Sequence, residues 1–186
     1  MLCFVRSDSS ILESSWLNRA AAWAAGADKD TPPYIHVEIL FVPRDEERQH
    51  AHDVTGEACS IVYNSTVHLE RKRFSRREWV FRSMKCTDEQ YDKMYDFCNE
   101  HRGEPFNYMG YFTFWSPIKI HPGFYRYFGM QPRWFCSQIV TSALLEGGMV
   151  DEDMSPSIHP HKLFESIKSN TMADCGRNLR SIAIDF

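Results

Sequence analysis

Apolar residues recur along this chain with two different periods, and the switches between them lay out its elements. Leu2 to Val5 is a short apolar run that predicts a strand. Asp8, Ser9 and Ser10 then offer caps for a helix with the stripe Leu12, Trp16, Arg19/Ala20 and Trp23, which Gly26 ends. Thr31-Pro32-Pro33 forces extended backbone into a strand over Tyr34 to Val42. Alternation puts Ile35, Val37, Ile39 and Phe41 on one face of that strand and His36, Glu38 and Leu40 on the other. Pro43 to Thr55 has no apolar period and reads as a solvated excursion. Ala58 to Asn64 and Thr66 to Phe74 predict two paired strands, and Trp79 to Phe81 a further short one.

Thr87 to Gln90 is a capping box, followed at helical spacing by Tyr91, Met94, Tyr95 and Cys98 as far as Gly103. Gly103 to Arg133 is rich in aromatic residues and broken by Pro117, Pro122 and Pro132, which predicts a packed loop or short helical turns. A buried helix follows, starting at or next to Cys136, carrying Ile139, Val140, Ala143 and Leu144 as its stripe and stopping at Gly147. Asp151 to Pro160 reads as a loop, His161 to Ser169 as a short helix, and Leu179 to Ile184 as a last strand.

Composition narrows the class. The 186 residues are 43% hydrophobic, 25% charged and 14% aromatic, values that predict one soluble globular domain and exclude a disordered tail, a coiled coil or a collagen-like fibre. A net charge of −4 argues against a general nucleic-acid binder. No stretch approaches the roughly 18 uninterrupted apolar residues of a membrane span, and Asp8 interrupts the N-terminal segment before a secretory hydrophobic region forms, so neither a transmembrane segment nor a signal peptide is expected. Six cysteines without a CxxC pairing suit free thiols in a reducing compartment, which points to the cytoplasm.

Among candidate chemical groups, Cys136 stands out by position. A thiol at a helix N-terminus sits beside unpaired backbone N–H groups and the positive end of the helix dipole, both of which favour thiolate. A catalytic thiol also needs a base, and His36, in a strand interior beside Glu38, is the best placed of the eight histidines. The pairs His50/His52 and His159/His161 have no four-ligand zinc pattern around them, and no metal or cofactor is expected. Arg71-Lys72-Arg73 with Arg76-Arg77 reads as a solvated face able to steer an anionic substrate.

Several motifs in order carry a resemblance. Tyr34-Ile-His36-Val-Glu-Ile, a polar residue on the next strand, Gly103-Glu-Pro-Phe-Asn-Tyr-Met-Gly110, Trp134-Phe-Cys136-Ser-Gln-Ile-Val and the tail His161-Lys-Leu163-Phe164 resemble the circularly permuted NlpC-type, papain-like thiol hydrolases. Viral and bacterial members and the related lecithin retinol acyltransferase group belong there. The resemblance spans residues 34 to 164 and implies a single α+β domain of papain-like type over 1–186, its antiparallel sheet packed on the helix that carries Cys136. It further implies Cys136 as nucleophile, His36 as base, and attack on an amide, thioester or ester carbonyl through an acyl-enzyme, with peptidase or amidase activity first. Peptide and acyl-lipid substrates both fit, and the oligomeric state stays open. The chain departs from the family at the residue that orients the imidazole, for which Ser60 and Glu38 are the candidates. The Cys136 backbone N–H and the Tyr108 hydroxyl are candidates for the oxyanion. The alternative is a non-catalytic peptide- or lipid-binding member of the same fold.

Overall fold

The computed structural model describes residues 1–9, 32–42, 53–113, 119–170 and 180–181. The helix predicted over Leu12 to Trp23 and the pair His50/His52 lie outside these residues. The fold is α+β. Strands β1 (Leu2–Arg6), β2 (Tyr34–Phe41), β3 (Asp53–Ser60), β4 (His68–Ser75) and β5 (Trp79–Arg82) form an antiparallel sheet in the order β4-β3-β2-β1-β5. Downstream lie β6 (Lys85–Cys86), the helices α1 (Asp88–Glu100) and α2 (Tyr108–Thr113), a 3-10 helix (Pro122–Phe128), α3 (Cys136–Glu146) and α4 (Pro160–Asn170). The last strand, β7 (Arg180–Ser181), pairs with β6.

Helices cover the sheet face built from Phe4, Val37, Ile39 and Phe41. Phe41 meets Tyr91 and Tyr95 of α1 edge-on, and Phe4 meets Phe164 of α4 in the same way. Between those helices α3 packs on β2 and β3 and buries Ile139, Val140, Ala143 and Leu144. The opposite face is not a solvated one: Cys3, Val5, Leu40, Ala58 and Phe74 are all within 1% of full burial, and Glu38 and Ser60 sit among them. Two polar side chains in an apolar layer require partners there.

Two boundaries differ most from the sequence reading. β3 starts at Asp53, inside the stretch expected to be a loop, because its polar residues face a basic strand: Asp53 pairs with Ser75, Thr55 with Arg73 and Glu57 with Arg71. Arg73 holds Asp53 through its guanidinium, and the Tyr95 hydroxyl donates to Glu57 at 2.9 Å. Cross-strand charge pairing thus replaces the missing hydrophobic alternation. Beyond Ser60 the chain turns instead of extending to Asn64, which adopts a left-handed φ of 62°. Finally α3 runs to Glu146, as expected, with Gly147 as C-cap in ordinary right-handed geometry, and it is Gly148, at φ 62°, that reverses the chain.

The helix over 88–100 carries the expected capping box, with Gln90 N donating to Thr87 Oγ1 and Thr87 N to Gln90 Oε1. No helix among the described residues is long and apolar enough to cross a membrane.

Candidate active site

The start of α3 is fixed from behind by buried amides. Phe135 is its N-cap in extended geometry and has no side-chain acceptor, so no side chain caps the first turn. Gln138, at the third helical position, supplies the other half of a capping box by accepting the Phe135 N–H at 3.3 Å. That same oxygen accepts Asn107 Nδ2 at 3.0 Å, while Gln138 Nε2 donates to the Ile120 carbonyl and to Ser157 Oγ, both at 2.9 Å. Asn107 Oδ1 in turn accepts the Gly110 N–H and the Tyr125 hydroxyl, both at 2.8 Å. Gly110 is required by this contact: a Cβ there would lie 2.3 Å from Asn107 Nδ2.

Asn107 and Gln138 are fully buried and hydrogen-bonded at both ends of their amides, so the loop carrying Phe106 to Tyr108 and the first turn of α3 move as one unit. The backbone adds to this, with Asn107 N donating to Trp134 O at 2.7 Å and Trp134 N to Pro105 O at 3.0 Å. Cys136 opens the helix at 7% exposure, among first-turn N–H groups that have no acceptor within the helix.

His36 reaches Cys136 from β2. The β1–β2 register shifts between Val5 and Arg6, where Val5 faces His36 and Arg6 faces Tyr34. An irregularity of this kind re-aims the side chain beside it. The ring, 14% exposed, lies near enough to the Cys136 side chain for it to raise the His36 pKa. Its Nε2 lies 3.1 Å from Glu38 Oε1 and 3.5 Å from Ser60 Oγ, so neither residue occupies Nδ1. Trp79 meets the ring edge-on at 6.2 Å.

Glu38 is 1% exposed, and Lys72 from β4 grips both of its oxygens, at 2.9 and 3.0 Å. His36, Glu38 and Lys72 therefore form a line of alternating charge across the buried face, with His36 at the end nearest Cys136. Burial alone would lower the His36 pKa, yet the charge and hydrogen bond of Cys136, with the hydrogen bond and charge of Glu38, outweigh it and raise it from 6.5 to about 10. For Glu38, burial works upward but is overcome by His36 and then Lys72, which hold the carboxyl at about 2.

Both orienting candidates thus come to the ring, Glu38 at the shorter distance and with a charge that Ser60 lacks. Tyr108, a candidate for the oxyanion, spends its hydroxyl proton on Asn64 Oδ1 at 2.6 Å. Another tyrosine of the same short helix, Tyr111, feels the sulfur: burial first, then the Cys136 and Tyr63 charges, push its phenol up to about 12. Three residues that shape the site escaped the sequence reading. Lys72 looked like one of five surface cations, and Asn107 and Gln138 lay inside quoted motifs without an assigned task; only their spacing before and after Cys136 marked them.

Comparison of the chain with family models, curated proteins and solved structures finds no match. The geometry therefore carries the functional argument by itself. A nucleophilic sulfur, an imidazole and a carboxylate in series can hold a proton ready for a leaving group, while uncapped N–H groups beside the sulfur can receive negative charge on oxygen.

Two outcomes follow for stability. Gln138→Ala strips partners from Asn107, Ser157 and the Ile120 carbonyl and is expected to cost about 3 kcal/mol in urea unfolding; a loss below about 1 kcal/mol would show that water replaces the amide. The charge line also sets a pH profile. His36, raised in the fold, contributes stability that is full below pH 6.5 and lost as pH climbs toward about 10. Glu38, lowered in the fold, contributes above pH 4.5 and loses its contribution as pH falls toward about 2. Urea midpoints should therefore peak between these limits, and His36→Gln should flatten the alkaline fall.

Proposed function

We propose that this protein is a cysteine hydrolase or acyltransferase of the circularly permuted NlpC, papain-like type, with Cys136 as nucleophile, His36 as base and acid, and Glu38 orienting the ring. The observation that carries this reading is the unbroken contact chain from Cys136 through His36 to the buried carboxylate of Glu38. A helix-borne thiol meeting a strand-borne imidazole, in this chain order, supports the papain-like assignment. The remaining argument for a non-catalytic binder was the lack of an orienting residue, and Glu38 fills that place.

In the first half-reaction the Cys136 thiolate attacks the carbonyl carbon, forming the C–S bond and an oxyanion. The backbone N–H of Cys136 at the uncapped helix start receives that charge. His36 then gives its proton to the leaving nitrogen, sulfur or oxygen as the bond to it breaks, which produces a thioester on Cys136. In the second half, His36 takes a proton from water or another acceptor, the new nucleophile attacks the thioester, and the thiolate leaves. Glu38 fixes the ring so that Nδ1 faces the sulfur. Lys72 acts through Glu38 as a positioning residue, keeping the carboxylate ionised in its apolar layer. Amide substrates, hence peptidase or amidase activity, suit a site that holds a proton on the imidazolium for a poor leaving group. The five cysteines of the described residues are all free thiols, in keeping with a reducing, cytoplasmic setting.

Intact-mass analysis with a limiting thiol electrophile and with acyl-type probes tests the reading. Cys136 should label first, because Cys3 and Cys98 are buried with their thiol pKa values pushed up. Cys136→Ala should abolish the adduct, and Glu38→Gln should slow acylation by about 10²-fold or more, with Ser60→Ala close to wild type. Lys72→Met should leave the plateau rate nearly intact and move the acid limb of the profile to higher pH, since Glu38 loses a charge that lowers its pKa. Labelling of Cys59 or Cys98 ahead of Cys136 would overturn the assignment.

A further inference from the structure

Most of the exposed large hydrophobic side chains among the described residues fall in one stretch of the sequence. Of the large hydrophobic side chains exposed among the described residues, Met109, Phe112, Phe124, Tyr127, Phe128 and Met130 lie within 22 residues of one another in sequence, and Tyr127 and Phe128 reach 88% and 64% exposure. The 3-10 helix forms the tip. His121 caps it through Nδ1, Phe124 stacks edge-on against Phe128 at 5.4 Å, and Gly129 closes it with a left-handed φ of 68°. Every residue from Arg126 to Gln131 is exposed, so this turn stands out from the body as a knob.

Its base, in contrast, is rigid. Tyr125 is 6% exposed, its hydroxyl donates to Asn107, and Arg133 lies over its ring at 5.0 Å. A fixed, aromatic, projecting turn is costly to leave in water unless something receives it. The charges identify the receiver. No Asp or Glu occurs between Glu104 and Glu146, although the chain holds 25 acidic residues, and the same interval carries Lys119, Arg126 and Arg133. Glu146 and Glu152 line the same groove as Arg126.

We propose that the knob Phe124–Met130 is a docking element for an anionic lipid bilayer, with Tyr127 and Phe128 entering the interface and Arg126 meeting headgroup phosphate. Aromatic side chains flanked by cations partition at this depth, where one side of the ring is apolar and the other wet. A convex tip with side chains bare on several sides fits a deformable lipid surface better than the flat, complementary face that a folded partner presents.

The test is co-sedimentation of the full chain with vesicles of phosphatidylcholine alone or with about 30% phosphatidylserine. Wild type should bind the anionic vesicles, and added salt should weaken that binding. The double variant Tyr127→Ser/Phe128→Ser, which touches no buried contact, should lose about tenfold or more in partitioning while keeping the wild-type unfolding midpoint. Arg126→Glu should lower binding to anionic vesicles by roughly fivefold or more and leave neutral vesicles unaffected. Cys136→Ala should bind as wild type does, so the outcome is separable from that of the catalytic reading. Absence of binding to either vesicle, or equal binding by the double variant, would overturn the proposal. So would lipid-independent self-association that the double variant abolishes, since the knob would then be an interface between copies.

Discussion

A carboxylate buried in the layer between two cationic groups governs this structure. Glu38 has almost no contact with water, so its charge depends on the partners that hold it, His36 first and Lys72 behind it. That requirement reaches far. It ties the edge strand β4 to the centre of the sheet, because Lys72 must cross from β4, past β3, to reach β2. The β3 residue paired with Lys72 is Gly56, where a Cβ would lie 2.5 Å from the Phe41 carbonyl oxygen and 2.9 Å from Leu40 Cδ1. The same requirement also gives the imidazole a fixed side, which leaves one ring nitrogen for Cys136.

A second constraint holds the sulfur. The first turn of α3 lacks a capping side chain at Phe135, yet it is held by Gln138, which links backwards to Asn107 and forwards to Ser157. The two halves of the site are thus supported by different devices: a charge line within the sheet, and a neutral amide network between loops. Each is buried, and each uses side chains that sequence patterning treats as ordinary polar residues.

This division explains what was legible in the chain. The strand carrying His36, the capped helix at Asp88 and the helix at Cys136 follow from local signals of alternation, capping and apolar spacing, and they appear where expected. Cys136 and His36 could be paired because each carried a local mark, a helix start and a strand interior. The early start of β3 was hidden, since its stabilising partners are cations on β4 and cross-strand pairing leaves no period within either strand. Lys72 was hidden for a similar reason: alternation gives the face of a residue but not which charge across two strands it meets. That Tyr111 lies within electrostatic reach of the sulfur was not legible, because a six-residue helix after a turn sets no register that spacing can reveal.

The central claim is that His36 is held as an imidazolium between Cys136 and Glu38, and the ring itself reports on it. Carbon-detected NMR titration of His36, with the assignment fixed by His36→Gln, should give a midpoint well above 6.5, toward about 10. The midpoint should fall when either the sulfur or the carboxylate is removed, in Cys136→Ala or Glu38→Gln. A wild-type midpoint at or below 6.5, unmoved by both substitutions, would contradict the account.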